Sequence, residues 1–159
     1  MRFSTLSATV TSATLGAMAL RVSLTYDTIY DEGKRSLSEV ACWNPNVPGL
    51  FREANDWLVQ ENVAPGILAM PTITGWDDGD CLSCWEVRWE EGERSRVLLA
   101  VDGSQKGFVT SLERMNSLTN GQAEDFQSVG PLEVSATRVG LENCGFAPGD
   151  IGKVRSDEL

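Results

Sequence analysis

Histidine is missing from all 159 residues of the chain. Without an imidazole there is no Ser-His-Asp or Cys-His nucleophilic system and no histidine-ligated metal, so carboxylates, thiols and lysine are left for chemistry. Basic residues are scarce as well: 13 Lys and Arg stand against 23 Asp and Glu, for a net charge of −10. A surface of that sign is repelled by phosphate backbones and anionic lipids. No basic run or aromatic-basic interleaving offsets it, and Gly152-Lys153 is followed by Val154, which breaks the spacing of a P-loop. Nucleic acid is therefore not an expected partner. The chain also lacks any apolar run near the roughly 20 residues a membrane-spanning helix needs, so membrane insertion is not expected. An Asn-x-Ser/Thr acceptor, an internal repeat and a low-complexity tract are missing too.

What is present reads as one globular domain, with 42% hydrophobic and 23% charged residues. The first residues differ from the rest. Arg2 is followed by a Ser/Thr/Ala/Leu segment without an acid, ending in Ala17-Met18-Ala19, an A-x-A cleavage pattern. Residues 1–19 are expected to be a secretory signal peptide. Arg2 is the only charge in them, so their removal takes the net charge from −10 to −11, which argues for a monomer near neutral pH.

The four cysteines are Cys42, Cys81, Cys84 and Cys144. A four-thiolate zinc site usually draws on two close pairs, and only Cys81 and Cys84 are close. A thioredoxin-like redox pair belongs at the start of a helix, whereas Trp85 to Trp89 alternates apolar and polar residues as a strand does. An even count behind a signal peptide points to two disulfides and to no metal. Three connectivities are open. Spacing does not choose among them, although closing long loops mildly favours Cys81 and Cys84 each reaching a distant cysteine.

Along the chain, "RVSLT" (Arg21 to Thr25) alternates like a strand, and "TYDTIYD" follows with two Tyr-Asp pairs. Apolar residues at helical spacing predict a helix over Gly49–Val59. Pro65, Gly66 and Pro71 predict loop with a short strand inside residues 62–74. "CWEVRWEEGERSRVLLAVDG" predicts a hairpin turning at Glu90 to Glu93. Thr110 to Glu113 fits a capping box, with Leu112, Met115 and Leu118 as the apolar stripe and Asn120-Gly121 as the stop. "PLEVSATRVGL" predicts a last strand. Short strands with two inserted helices imply a compact barrel or sandwich. Of the five tryptophans, Trp85 and Trp89 share a strand face and Trp57 lies on the first helix, so core packing is expected for them, while Trp43 and Trp76 are candidates for exposure.

The stretches "VSLTYDTIYD", "RSLSEVAC", "ITGWDDGDCLSCWEV", "VLLAVDGSQKGF", "MNSLTNGQA" and "ENCGF" run in order from Val22 to Phe146. Together they resemble the cerato-platanin family of small secreted fungal proteins. The resemblance implies a mainly β fold, a six-stranded double-ψ β-barrel related to the first domain of expansins, over residues 20–146. It also implies disulfides Cys42–Cys81 and Cys84–Cys144 and no cofactor. It implies a protein of the cell exterior or wall that binds chitin or β-glucan oligosaccharides without cleaving them, and that a host plant receptor perceives as an elicitor. The positions that match the family's shallow groove are Tyr26, Asp27, Asp102 and Phe108, with exposed Trp76 as a further sugar platform. Carboxylates accept from sugar hydroxyls and aromatic rings face pyranose C–H groups. A plain structural role for Asp102, bonding loop amides at a strand end, is the competing reading.

Two alternatives accompany this. Asp102 with Asp27 is the carboxylate pair available to a weak expansin-like or glycosidase activity, which needs two carboxyl groups flanking the bond. The other is a surface-active wall protein without a specific ligand. Departures from the family are Val109 in place of its asparagine after Gly-Phe, the missing Phe-Pro and Gly-Gly landmarks between Val63 and Thr74, and residues 147–159. These last residues read as an acidic extension ending in Ser156-Asp157-Glu158-Leu159, which is similar to a retrieval signal of the endoplasmic reticulum but lacks its basic first position.

Overall fold

The computed structural model describes residues 19–44, 59–63, 65–91 and 93–146. The expected leader up to residue 18, the expected helix over residues 49–58 and the tail over residues 147–159 lie outside them. Six strands form one closed barrel: β1 (Leu20–Tyr26), β2 (Ile67–Met70), β3 (Cys84–Trp89), β4 (Arg94–Gly103), β5 (Phe108–Thr110) and β6 (Leu132–Val139), in the order β1-β5-β2-β4-β3-β6. Two pairs, β1 with β5 and β2 with β4, are parallel, and the rest are antiparallel. This is the six-stranded double-ψ barrel the resemblance implied, and closure leaves no edge strand to pair with another chain.

Residue patterns explain the strands. All four residues of β2 are buried, as expected of a strand paired in parallel and covered on both faces. In β6, buried Leu132 and Val134 flank exposed Glu133, the alternation of a strand with one face in the core. Leu24, Leu68, Leu98, Phe108 and Leu118 are at most 2% exposed. Each stabilises the fold by about 1.5–3 kcal/mol relative to an exposed side chain.

Helix α1 (Leu112–Thr119) lies where the apolar stripe placed it, with Met115 and Leu118 buried. Its cap is Ser111, one residue later than expected, and the Ser111 hydroxyl accepts from the Arg114 N–H at 3.1 Å. Thr110 is unavailable because it ends β5, pairing with Tyr26, and its hydroxyl donates to the Ile67 carbonyl at 2.7 Å. At the other end Asn120 adopts the left-handed conformation with φ 58°, which Asn tolerates better than most residues. Arg96 donates to the Ser117 carbonyl and hydroxyl at 2.7 and 2.8 Å and so closes the last turn. A second helix, α2 (Ala123–Val129), and the three-residue β5 were not expected from the sequence.

The disulfides are Cys42–Cys81 and Cys84–Cys144. Cys84 opens β3 and Cys81 lies just before it, so the two bridges diverge from one strand end. Trp85 and Trp89 are half-buried, packing edge-on against Phe108 and Phe126 with ring centroids 5.7 and 5.3 Å apart.

Candidate functional site

A bulge positions Asp102. On β4, Ala100 pairs with Leu68 but Asp102, not Val101, pairs with Ala69. The extra residue reorients the strand: Val101 is fully buried and Asp102 is half-buried. Asp102 Oδ1 accepts from the Ala41 N–H at 2.9 Å and from its neighbour Gly103 at 2.8 Å, while Oδ2 accepts from the Tyr30 hydroxyl at 2.9 Å. The carboxylate therefore ties β4 to the loop before Cys42 and to the segment after β1.

That segment is a single 3-10 turn, Thr28–Asp31. Asp27 caps it, accepting from the Ile29 N–H at 2.9 Å, and is otherwise exposed. The turn swings Tyr30, rather than Tyr26, onto Asp102. Burial, then the Asp102 carboxylate, raise the Tyr30 phenol above its ordinary value, and Asp27 acts in the same direction. Tyr30 is therefore a neutral donor. Asp31, at the end of the turn, accepts from the Leu112 and Glu113 N–H groups at 2.8 and 3.0 Å and serves the first turn of α1 from outside.

Beside Tyr30 lies a cleft of about 200 Å³ whose polar lining includes Tyr30, Asp31, Gln60, Glu61, Glu113 and Arg114. Gln60 is 4% exposed. Its Nε2 donates to the carbonyls of Ile29 at 3.0 Å and Glu32 at 3.4 Å, which locks the segment after residue 59 onto the 3-10 turn. Its Oε1 is buried without a partner among the described residues, as is Arg35 Nη1. Gly66 lets Arg114 into the cleft: at φ 100°, a Cβ there would lie 2.8 Å from Arg114 Nε.

Of the five residues expected from the sequence, Asp102 and Asp27 both act on Tyr30. Asp102 joins Tyr30. Tyr26, half-buried, and exposed Asp27 flank the exit of β1. Trp76 is 38% exposed in another loop. There Asp78 accepts from the Thr74 N–H, from Gly75 at 2.8 Å and from the Thr74 hydroxyl at 3.0 Å. These bonds, the Thr74 N–H foremost, hold the Asp78 carboxyl below its ordinary range. Phe108 needs a correction: it is 1% exposed. The pleat of β5 turns it inward against Trp85, while Val109 is half-exposed, so Phe108 supports the barrel from within and offers no face to a ligand. Missed from the sequence were Tyr30, Gln60 and Arg114. Only Tyr30 had a signal, as the second Tyr-Asp pair. Among the described residues no group of three or more His, Cys, Asp or Glu side chains is arranged to hold a metal.

Fold and site together define a small, disulfide-braced double-ψ barrel with a polar cleft at the exit of its first strand. The chain belongs to the cerato-platanin family, whose model matches residues 22–146. It is 30% identical over 153 residues to the heat-stable 19 kDa antigen of Coccidioides immitis, covering 92% of this chain and 99% of that protein. It superposes on the crystal structure of cerato-platanin 3 from M. perniciosa with a TM-score of 0.69 at 30% identity, covering 79% of this chain and 99% of that one. It also superposes on the solution structure of the fungal elicitor cerato-platanin, with a TM-score of 0.57 at 26% identity, covering 84% of this chain and 99% of that one.

Proposed function

We propose that the chain is a secreted, wall-associated protein that binds chitin or β-glucan oligosaccharides without cleaving them and is perceived by a plant host. The observation that carries this reading is the cleft beside Tyr30, whose lining brings together carboxylates, a guanidinium, a phenol and an amide. Such a mixture of donors and acceptors suits a polyhydroxylated ligand. The volume of about 200 Å³ is below the roughly 300–1,000 Å³ of pockets that enclose drug-sized ligands, so one ring fits the cleft and the rest of an oligomer lies along the surface. The solved relative described as a fungal elicitor supports the host-facing role.

Binding without hydrolysis is favoured by the state of the carboxylates. A glycosidase keeps one carboxyl group to protonate the leaving oxygen and another to act on the opposite face. Here both oxygens of Asp102 accept bonds from Tyr30, Ala41 and Gly103, and Asp27 caps its own turn. Adsorption without a ligand has less support, because among the described residues the exposed large apolar side chains are Leu20, Trp76 and Val129, which belong to different elements, and scattered apolar residues are ordinary on a surface.

The test is calorimetric titration of the oxidised chain with a soluble N-acetylglucosamine tetramer and with a β-glucan oligomer, followed by an assay for new reducing ends. Saturable heat with no release of reducing ends is expected. Release of reducing ends would restore the enzyme reading, and no heat from any oligosaccharide would remove the binding reading.

A further inference from the structure

Asn120 and Gly121 end α1. Of the asparagines in the chain, Asn120 is the one followed by glycine, and it stands exposed in the left-handed conformation, with φ 58° and ψ 40°. Space around Gly121 is open: a Cβ there would meet nothing within 4 Å. Two bonds hold the pair. The Gly121 N–H donates to the Asn116 carbonyl at 2.9 Å, and Asn120 Oδ1 accepts from Arg94 Nη2 at 3.2 Å. The two Asp-Gly pairs of the chain are protected differently. Both oxygens of Asp102 are bonded, and a Cβ on Gly103 would lie 2.5 Å from the Ile73 carbonyl oxygen. Bonds from Thr74 and Gly75 keep Asp78 ionised, and a carboxylate is a poorer electrophile than an amide.

We propose that Asn120-Gly121 is a site of spontaneous deamidation that the last turn of α1 holds closed. In the reaction the Gly121 nitrogen gives its proton to hydroxide and attacks the side-chain carbonyl carbon of Asn120. A new C–N bond closes a five-membered imide, the bond to the side-chain nitrogen breaks, and that nitrogen leaves as ammonia with a proton from water. Water then opens the imide at either carbonyl to give aspartate or isoaspartate, with nothing oxidised or reduced. In the fold the nucleophile is engaged with Asn116 and the electrophile is turned to Arg94, so the turn must open first. Helix ends open more readily than the core. An isoaspartate adds a methylene to the main chain between residues 120 and 121. Asn116 Oδ1 accepts from the Ala123 N–H at 3.2 Å, so the disturbance falls where α1 hands over to α2, whose Phe126 packs on Trp89.

The experiment incubates the oxidised full chain at pH 8.5 and follows each asparagine by peptide mass, beside a reduced, urea-unfolded sample. Asn120 is expected to be modified ahead of every other asparagine in the folded chain, and at least about ten-fold faster in the unfolded one. Arg94→Ala should speed the folded reaction about two- to five-fold, the scale of one exposed hydrogen bond. Arg138→Ala, toward the other end of β3, makes the same change in net charge and should leave the rate unaltered. The modified fraction, separated by anion exchange, should have a weaker near-UV circular dichroism from Trp89. Modification first at another asparagine overturns the site. Equal rates in folded and unfolded chains, or an unchanged or slower rate in Arg94→Ala, overturn the turn as its gate.

Discussion

At the scale of single residues, Asp102 is coupled to Tyr30 in a way that mutation can measure. Asp102→Ala would leave the Tyr30 hydroxyl and the Ala41 and Gly103 N–H groups without their acceptor, and is expected to cost about 2–3 kcal/mol. Tyr30→Phe removes one bond and should cost about 1 kcal/mol. In urea unfolding the double variant should fall short of the sum by at least about 0.5 kcal/mol, the coupling of two groups in contact. Strict additivity would mean that the bond contributes nothing. The same pair predicts alkaline behaviour. Because the folded-state value of Tyr30 is raised above its ordinary 10.0, the unfolded chain loses this proton first. Stability is therefore fully present below pH 10 and is lost as pH rises beyond it. Wild type should lose stability more steeply above pH 10 than Tyr30→Phe, and parallel slopes would refute the assignment. The structural role of Asp102 was legible, because it stands where a strand of apolar residues gives way to Asp-Gly and there accepts from loop amides, whereas its place in a groove came only with the family resemblance. The partner of Asp102 was not legible, because whether Tyr26 or Tyr30 turns toward β4 depends on the 3-10 turn between them.

At the scale of elements, α1 shows what a local pattern conveys and what it omits. The stripe of Leu112, Met115 and Leu118 and the Asn120 stop located the helix, but the cap moved to Ser111 because Thr110 is held in β5. With the cap at Ser111, the residue three positions later is Arg114, so the reciprocal carboxylate of a capping box is absent. Asp31 supplies acceptors from a remote turn instead. Asp31→Ala and Ser111→Ala should each cost about 1 kcal/mol. Their effects should be nearly additive in thermal unfolding, since they serve different N–H groups. A silent Asp31→Ala would mean that water replaces its carboxylate without loss. Helix α2 escaped the sequence for a related reason. Its cap residue Gln122 makes no side-chain bond and Ala123 is its only buried residue, so it is held by Phe126 against Trp89, a contact between distant segments.

At the scale of the whole molecule, hydrophobic periodicity indicated a barrel or sandwich but contained nothing about which strands lie parallel. Periodicity is local, whereas β1 meets β5 and β2 meets β4 across long connections. The cleft was hidden for the same reason, since Tyr30, Gln60 and Arg114 come from three separate segments. Disulfide connectivity was open to spacing alone and came only with the family resemblance. The bridges close separations of 39 and 60 residues, and the chain-entropy relation assigns each about 4 kcal/mol. Together they rival the 5–15 kcal/mol by which a typical domain is stable, so full reduction is expected to abolish the near-UV circular dichroism of the packed tryptophans. The paired variants Cys42→Ala with Cys81→Ala and Cys84→Ala with Cys144→Ala separate the two contributions. Loop length alone makes the second pair more costly by only about 0.4 kcal/mol. A larger gap in denaturant midpoint would then report native packing: Cys84 and Cys144 join β3 to the turn after β6, whereas Cys42 and Cys81 hold the loop that feeds Ala41 to Asp102. If the Cys42–Cys81 variant also lost the coupling between Asp102 and Tyr30, that bridge would be what aligns the candidate site. Retention of the coupling would leave the β4 bulge as sufficient to align it.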